Sequence, residues 1–229
     1  MPLVIFTIMP TISPVPPSAA IIRRALGEFK LPAYDDQVLQ IQQYIGILLA
    51  WNEKINLTAI RDPLEILYRH ICESMFASVA VPLENGRLAD VGSGAGFPGL
   101  PLKIIRPNLR VFLVESSIKK VTFLAEVTRE LGLKDVQVLA RRYEELGEEV
   151  APLDYICSRA LGEFPAFLEW AKSEQIAAKR VILWIGARDL PEIQKVHTWD
   201  WAEPIQVPNS LRRLLLVGTK RPPVVGAST

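Results

Sequence analysis

From Arg87 onward the chain alternates short β-rich runs with helical ones, and this alternation restricts its fold more than any other feature. Strands are predicted at 88–91, 111–115, 136–139, 154–158 and 181–185. Helical patterns lie between them, notably at 119–131 and 165–178. Strands separated by helices of this length build βαβ units, and therefore a parallel sheet covered on both faces. A last pair of runs, 204–207 and 211–218, is separated only by Pro208-Asn209-Ser210. So short a gap suits a hairpin, which makes the final strand antiparallel to its neighbour. The expected architecture is α/β and Rossmann-like, a seven-stranded, mostly parallel sheet with an antiparallel last strand, preceded by a helical lobe.

That lobe has a different period. Val38, Ile41, Ile45, Leu48 and Leu49 recur at three- and four-residue spacing, as on one face of a helix. Asn56-Leu57-Thr58 interrupts the pattern, and Asp62-Pro63 restarts it with a capping carboxylate and a proline at the first helical position. The second helix is predicted over 64–79, presenting Ile66, Leu67, His70, Ile71 and Met75. The expected divisions are a disordered leader (1–20), a helical lobe (21–82), the sheet domain (83–219) and a flexible tail (220–229). The leader holds Pro2, Pro10, Pro14, Pro16 and Pro17, which interrupt any signal-like or membrane-spanning helix.

Composition serves mainly to exclude. With 49% hydrophobic and 22% charged residues, the chain reads as an ordinary globular protein rather than a disordered one. A formal charge of +1 identifies no polyanionic partner, so a nucleic-acid surface must come from local Lys and Arg clusters. Cys72, Cys157, His70 and His197 lack metal-ligand spacing, so no metal is expected. Two lone thiols suit a reducing cytoplasm. The chain is expected to be cytoplasmic, free of membranes and monomeric.

The most informative chemistry lies in Leu88-Ala-Asp-Val-Gly-Ser-Gly-Ala-Gly-Phe-Pro-Gly99. Gly92, Gly94 and Gly96 follow the first strand directly, and Pro98 favours the start of a helix. In a doubly wound sheet this turn lies at the carboxyl ends of the strands, where ligands bind. Glycine there permits a sharp reversal and leaves room for a ligand. Glu115, ending the second strand, is placed to accept hydrogen bonds from both ribose hydroxyls of a nucleoside.

Two cofactors fit these residues. Gly94-Ala-Gly96-Phe-Pro-Gly99 matches the G-x-G-x-x-G pattern of dinucleotide sites, with Glu115 at about the right distance. Asp90 is the discriminator. Its carboxylate is expected to point into the loop, where it repels a pyrophosphate but suits the amino group and sulfonium of S-adenosyl-L-methionine. The methyl donor is therefore preferred over a nicotinamide cofactor.

The same loop resembles that of the small-subunit ribosomal RNA methyltransferase G family, also called glucose-inhibited division protein B. The resemblance extends to Trp51-Asn52, Asn56-Leu57-Thr58, Arg61-Asp62-Pro63 and His70. It continues through Glu115-Ser116, Lys119-Lys120-Val121, Phe123-Leu124, Arg142-Tyr-Glu144 and Ser158-Arg159-Ala160, covering about 35 to 218. It implies a class I S-adenosylmethionine methyltransferase fold, transferring a methyl group to N7 of a guanine in 16S ribosomal RNA or the small ribosomal subunit. Carried across, the implied cofactor contacts are Gly92 and Phe97 in the loop, Tyr143 and Glu144 after strand three, and Arg159 after strand four. The chain departs from the family at Trp184-Ile185-Gly186, where lysine usually precedes glycine, so a charged substrate contact there is not expected.

Guanine N7 has an in-plane lone pair and no proton, so its methylation needs alignment rather than a general base. No catalytic side chain is therefore expected. Ser158-Arg159-Ala160 agrees, since amino-group methyltransferases usually resemble Asp/Asn-Pro-Pro-Tyr/Phe at this point. Cys157, within an apolar run, reads as a core thiol rather than a nucleophile. Arg159 has two readings: contact with the methionine carboxylate or RNA phosphate, or an ion pair with Glu144 or Asp90. Glu144 either accepts a bond near the adenine or simply begins a helix. His70 reads as a structural histidine. Lys119, Lys120 and Arg142 are candidate substrate contacts, with Arg141, Arg212-Arg213 and Lys220-Arg221 as further basic pairs. Rival functions are a nicotinamide-dependent oxidoreductase, a catalytically silent RNA-binding module and a small-molecule methyltransferase.

Overall fold

The computed structural model describes residues 15–159, 162 and 164–221. Its helical first part comprises α1 (Ala19–Glu28), α2 (Asp35–Asn52), α3 (Pro63–Ile66), a π-helical turn (Leu67–Cys72), α4 (Glu73–Met75) and α5 (Ala77–Ala80). There follow β1 (Gly86–Val91), α6 (Gly99–Ile105), β2 (Leu109–Glu115), α7 (Ile118–Glu130), β3 (Val136–Ala140), a 3-10 turn (Tyr143–Glu145) and β4 (Tyr155–Ser158). The chain then runs through α8 (Phe164–Lys172), β5 (Arg180–Gly186), α9 (Leu190–Gln194), β6 (Trp199–Trp201), β7 (Ile205–Gln206) and β8 (Arg213–Lys220).

The main strand order is β3-β2-β1-β4-β5-β8-β6, with β7 also pairing with β8. The first five are parallel, and β8 runs antiparallel to β5. The described residues thus form eight strands rather than the expected seven. β6, a Trp-Asp-Trp stretch too short to register as a β pattern, and β7 together cover one edge of β8. The hairpin expected across Pro208-Asn209-Ser210 joins β7 to β8.

Alternation along each strand sends neighbours to opposite faces. Leu88, Val111 and Leu113 join one apolar cluster with α1, α2, α6 and α7. Ala89, Val91, Phe112 and Val114 join another with α8, α9 and Trp199. Both faces are covered, which is why the strands read as nearly continuous apolar runs. The helical first part shares its cluster with the sheet. Trp51 Nε1 ties α2 to α7 by donating to Glu126 at 2.9 Å.

Boundaries moved in three places. Helix α1 begins at Ala19, and the buried Pro17 accepts a hydrogen bond from Gln42 at 2.8 Å, so the expected leader is already packed before residue 20. Residues 1–14 of that leader, and 222–229 of the expected tail, lie outside the described residues. The helix predicted over 165–178 ends at Lys172. The helix predicted over 64–79 is broken into short segments around the π-helical turn.

After β3 the chain returns to the far side of β1 as β4, so the topology switches direction between β1 and β4. A crevice at the carboxyl ends of these two strands is the expected ligand position in such a sheet.

Candidate functional site

The loop after β1 lies in that crevice. Gly92 and Gly94 have φ of +72° and +58°, a region that side chains disfavour, and a Cβ on either would touch nothing closer than 3.8 Å. Glu115 ends β2 beside them. One of its oxygens accepts from Gly94 N–H at 3.0 Å and the other from Ser117 N–H at 2.9 Å. Each carboxylate oxygen retains a lone pair.

Two cavities open here. One, of about 230 Å³, is lined by Gly92, Glu115, Ser116, Arg142, Tyr143 and Glu144, among others. Tyr143 is held edge-on to Trp170, with centroids 4.9 Å apart. The other, of about 340 Å³, is lined by Thr58, His70, Gly94, Phe97, Arg159 and Arg213, among others. Gly92 borders both.

The helical first part contributes Leu57, Thr58, Ile60, Arg69 and His70 to the wall of the second cavity. Asn52 Oδ1 accepts from the backbone N–H groups of Leu57 and Thr58, and its amide donates to Thr58 O, which fixes the Asn-Leu-Thr turn. The turn presents Thr58 Oγ1 to His70 Nε2 at 2.8 Å. The His70 ring stacks on Phe97 with centroids 4.5 Å apart and planes 17° from parallel. Burial, then the charges of Arg159, Arg213 and Arg69, pull the His70 pKa down to about 3. The imidazole is therefore neutral at pH 7 and a very weak base.

Arg159 pairs with neither Glu144 nor Asp90. It meets the buried carboxylate of Glu73 at 2.9 Å, and it donates to the carbonyls of Arg69 and His70 in the π-helical turn and to Ser74 Oγ. Arg213 shares Glu73. Two guanidiniums on one carboxylate leave an excess of positive charge at the cavity wall. Burial, with Arg213 and Arg69 nearby, lowers the Arg159 pKa to about 10, so it stays charged at neutral pH. Trp184 Nε1 braces Glu73 by donating to its carbonyl at 2.7 Å.

Asp90 is placed differently from expectation. It is fully buried and lines neither cavity. Its carboxylate reaches to the far end of the loop, accepting from Gly99 N–H at 2.9 Å and lying 3.8 Å from Cys157 Sγ. Burial raises its pKa to about 7 despite the Gly99 hydrogen bond. The argument that it repels a pyrophosphate across the loop therefore fails. Another argument replaces it: Gly94 N–H and Gly99 N–H, donors that a pyrophosphate would need, already serve Glu115 and Asp90.

Gly96 is likewise a packing residue, with Leu100 and Tyr44 where its side chain would go. The exposed Lys119 and the half-buried Lys120 line neither cavity. Burial and the neighbouring Asp90 push the Cys157 thiol pKa well up, which suits a core thiol. Sequence reading missed Glu73, named Thr58 only within the Asn-Leu-Thr block, and named Arg213 only as part of one basic pair among several. Glu73 left one signal: it is a carboxylate flanked by Ile71, Cys72, Ser74 and Met75, all of them buried. Among the described residues, no group of His, Cys, Asp and Glu could hold a metal ion, and no helix is long and apolar enough to cross a membrane.

Residues 37–211 match the family model described as rRNA small subunit methyltransferase G. The chain is 41% identical over 157 residues to "Ribosomal RNA small subunit methyltransferase G" from Alkaliphilus metalliredigens, covering 67% of this chain and 66% of that relative. It is 35% identical over 204 residues to the protein of the same name from Chloroflexus aggregans, covering 84% and 86%. A solved structure of a SAM-dependent methyltransferase from Aquifex aeolicus shares the fold, with a TM-score of 0.56 at 17% identity over 70% of this chain and 94% of that one.

Proposed function

The chain belongs to the rRNA small subunit methyltransferase G family, and from that premise we propose that it transfers a methyl group from S-adenosyl-L-methionine to N7 of a guanine in 16S ribosomal RNA. It does so as a cytoplasmic monomer acting on the RNA or the small subunit. One observation carries this reading: two cavities meet at Gly92, one suited to a nucleoside and one bordered by arginine with no working base.

The residues present fit the donor. Glu115 keeps lone pairs for ribose hydroxyls, Tyr143 and Glu144 border the adenine side, and the open faces of Gly92 and Gly94 admit a ligand against the backbone. Phe97, stacked under His70, floors the neighbouring cavity. Arg159 and Arg213 supply positive charge for the methionine carboxylate or an RNA phosphate. When bound, S-adenosyl-L-methionine supplies an electrophilic methyl on a cationic sulfur.

The remaining work is orientation. Among the described residues, the second cavity's lining includes no carboxylate, thiol, phenol or amine, and its imidazole has a pKa of about 3. Such a site is poor at removing a proton, and N7 has none to remove. Alignment and desolvation are sufficient for in-line transfer, which supports N7 over an exocyclic amine. The occupied loop N–H groups disfavour the nicotinamide alternative.

The test is mass spectrometry of nucleosides from 16S rRNA of cells lacking this chain. A loss of 7-methylguanosine, restored by the purified protein with labelled donor, is the expected result. Unchanged 7-methylguanosine content would defeat the proposal.

A further inference from the structure

Beside the cavity that holds His70 and Phe97 lies a groove of about 680 Å³. The two share Arg159 and Arg213 in their walls, so the groove begins where the cavity ends. Its remaining wall comes from Gly162, the start of α8, the carboxyl end of β5, the turn into α9 and the entry to β8, and includes Phe164, Trp184, Arg188 and Arg212. The antiparallel register sets Arg213 opposite Gly186, so Arg212 and Arg213 enter β8 at the end of β5, where Ile185 has no charge of its own.

Among the described residues lining the groove, four arginines stand against two carboxylates. Of the two carboxylates among its described lining residues, Asp189 accepts from Gly186 N–H at 3.0 Å and Glu192 pairs with Lys195 at 2.8 Å. Glu73 serves Arg159 and Arg213. Arg188 and Arg212 are exposed and make no ion pair among the described residues. Both exposed guanidiniums are therefore available to the oxygens of a bound polyanion.

A second basic cavity, at the opposite end of the sheet, is lined by Lys179, Arg180, Lys220 and Arg221. It has no wall in common with either cavity of the site. Only the first groove is continuous with it. An RNA strand whose base enters the site must continue away from it, and phosphates that pass through a basic groove fix register without reading sequence.

We infer that this groove takes the backbone of the nucleotides adjoining the target guanine, with Arg188 and Arg212 as its phosphate contacts. This rests on the ribosomal RNA reading above. It is tested by filter binding of 16S rRNA across a salt series, comparing the wild type, Arg188→Ala/Arg212→Ala, and Arg180→Gln/Lys220→Gln at the other end of the sheet.

The groove variant is expected to bind about tenfold more weakly, with a slope of log affinity against log salt shallower by about 1.5, or roughly 0.7 to 0.9 per lost contact. The loss should fall on KM for RNA rather than on kcat, with calorimetric affinity for S-adenosylhomocysteine retained. The control should lose less than about twofold, as expected of solvated surface charge. Wild-type affinity and slope in the groove variant would overturn the inference, as would an equal loss in the control. If the wild type bound rRNA and methylated it while the groove variant matched it, only the groove would be wrong. If the wild type neither bound nor methylated rRNA, the underlying reading would fall as well.

Discussion

Gly94 and Gly96 are separated by one alanine, both have positive φ, and their surroundings are opposite. A Cβ on Gly94 would meet only Gly92 O at 3.8 Å, whereas a Cβ on Gly96 would lie 2.7 Å from Tyr44 Oη and closer still to Leu100. Tyr44 is itself fixed by donating to Ala95 O. The loop therefore has an open side, made of Gly92, Gly94 and the Glu115 carboxylate. It also has a packed side, where Gly96, Gly99 and Asp90 lock it onto α2 and α6. One sequence motif serves two purposes: the packed side holds the backbone so that the open side can be offered to a ligand.

The sharpest way to break this contrast is on the packed side. Gly96→Ala should cost about 3 kcal/mol or more, from overpacking together with a disfavoured φ. In a chain of this size that lowers the melting temperature by about 10 °C. A melt within about 2 °C of wild type would show that the packed side is not packed. On the open side, Gly94→Asp should abolish binding of S-adenosylhomocysteine in calorimetry, a loss of at least about a hundredfold, or roughly 2.7 kcal/mol. It places bulk and a second carboxylate beside Glu115, while the melting temperature falls by only a few degrees. Unchanged affinity would mean the loop does other work.

Asp90→Asn sharpens the contrast through pH. The wild-type carboxyl has a pKa of about 7 in the folded chain against an ordinary 3.8. Between those values the folded state holds a proton that the unfolded state has released, so this group's contribution to stability falls as pH rises from about 4 to about 7. Asparagine keeps an acceptor for Gly99 N–H and cannot ionise. The variant should therefore gain melting temperature relative to wild type between pH 5 and pH 8. A gap that shrinks over that range would contradict a buried, proton-holding Asp90. The smallest effect is expected from Cys157→Ala, which trims a buried thiol on the packed side at a cost of about 1 kcal/mol and leaves methyl transfer largely intact. A folded but inactive variant would revive a covalent role for the thiol.

The two sides of the loop were not equally legible. Glu115 ends β2, Tyr143 and Glu144 come shortly after β3, and a parallel sheet gathers the carboxyl ends of its strands at one edge. Asp90 was noticed for its charge, but its direction was misread. An acidic residue before a glycine loop can face the ligand or the helix behind it, and only the packing of α6 decides between them. Arg159 was noticed and its partner missed, because Glu73 lies 86 residues away on a helix that the βα pattern does not position. Thr58 and Arg213 were named, but their meeting with His70 and Glu73 was not legible for the same reason.

Period and punctuation along the chain were sufficient to determine the α/β class, the parallel direction of the central strands, the closing hairpin and the placing of a ligand crevice at their carboxyl ends. Each follows from hydrophobic alternation and local backbone preference, which act over a few residues. Tertiary structure alone decided which way Asp90 faces, that Glu73 collects two arginines, that His70 is neutral, and that two cavities meet at Gly92. These depend on burial and on charges brought together from distant segments, and electrostatic energy in a low-dielectric interior is set by distances that no spacing in the sequence encodes.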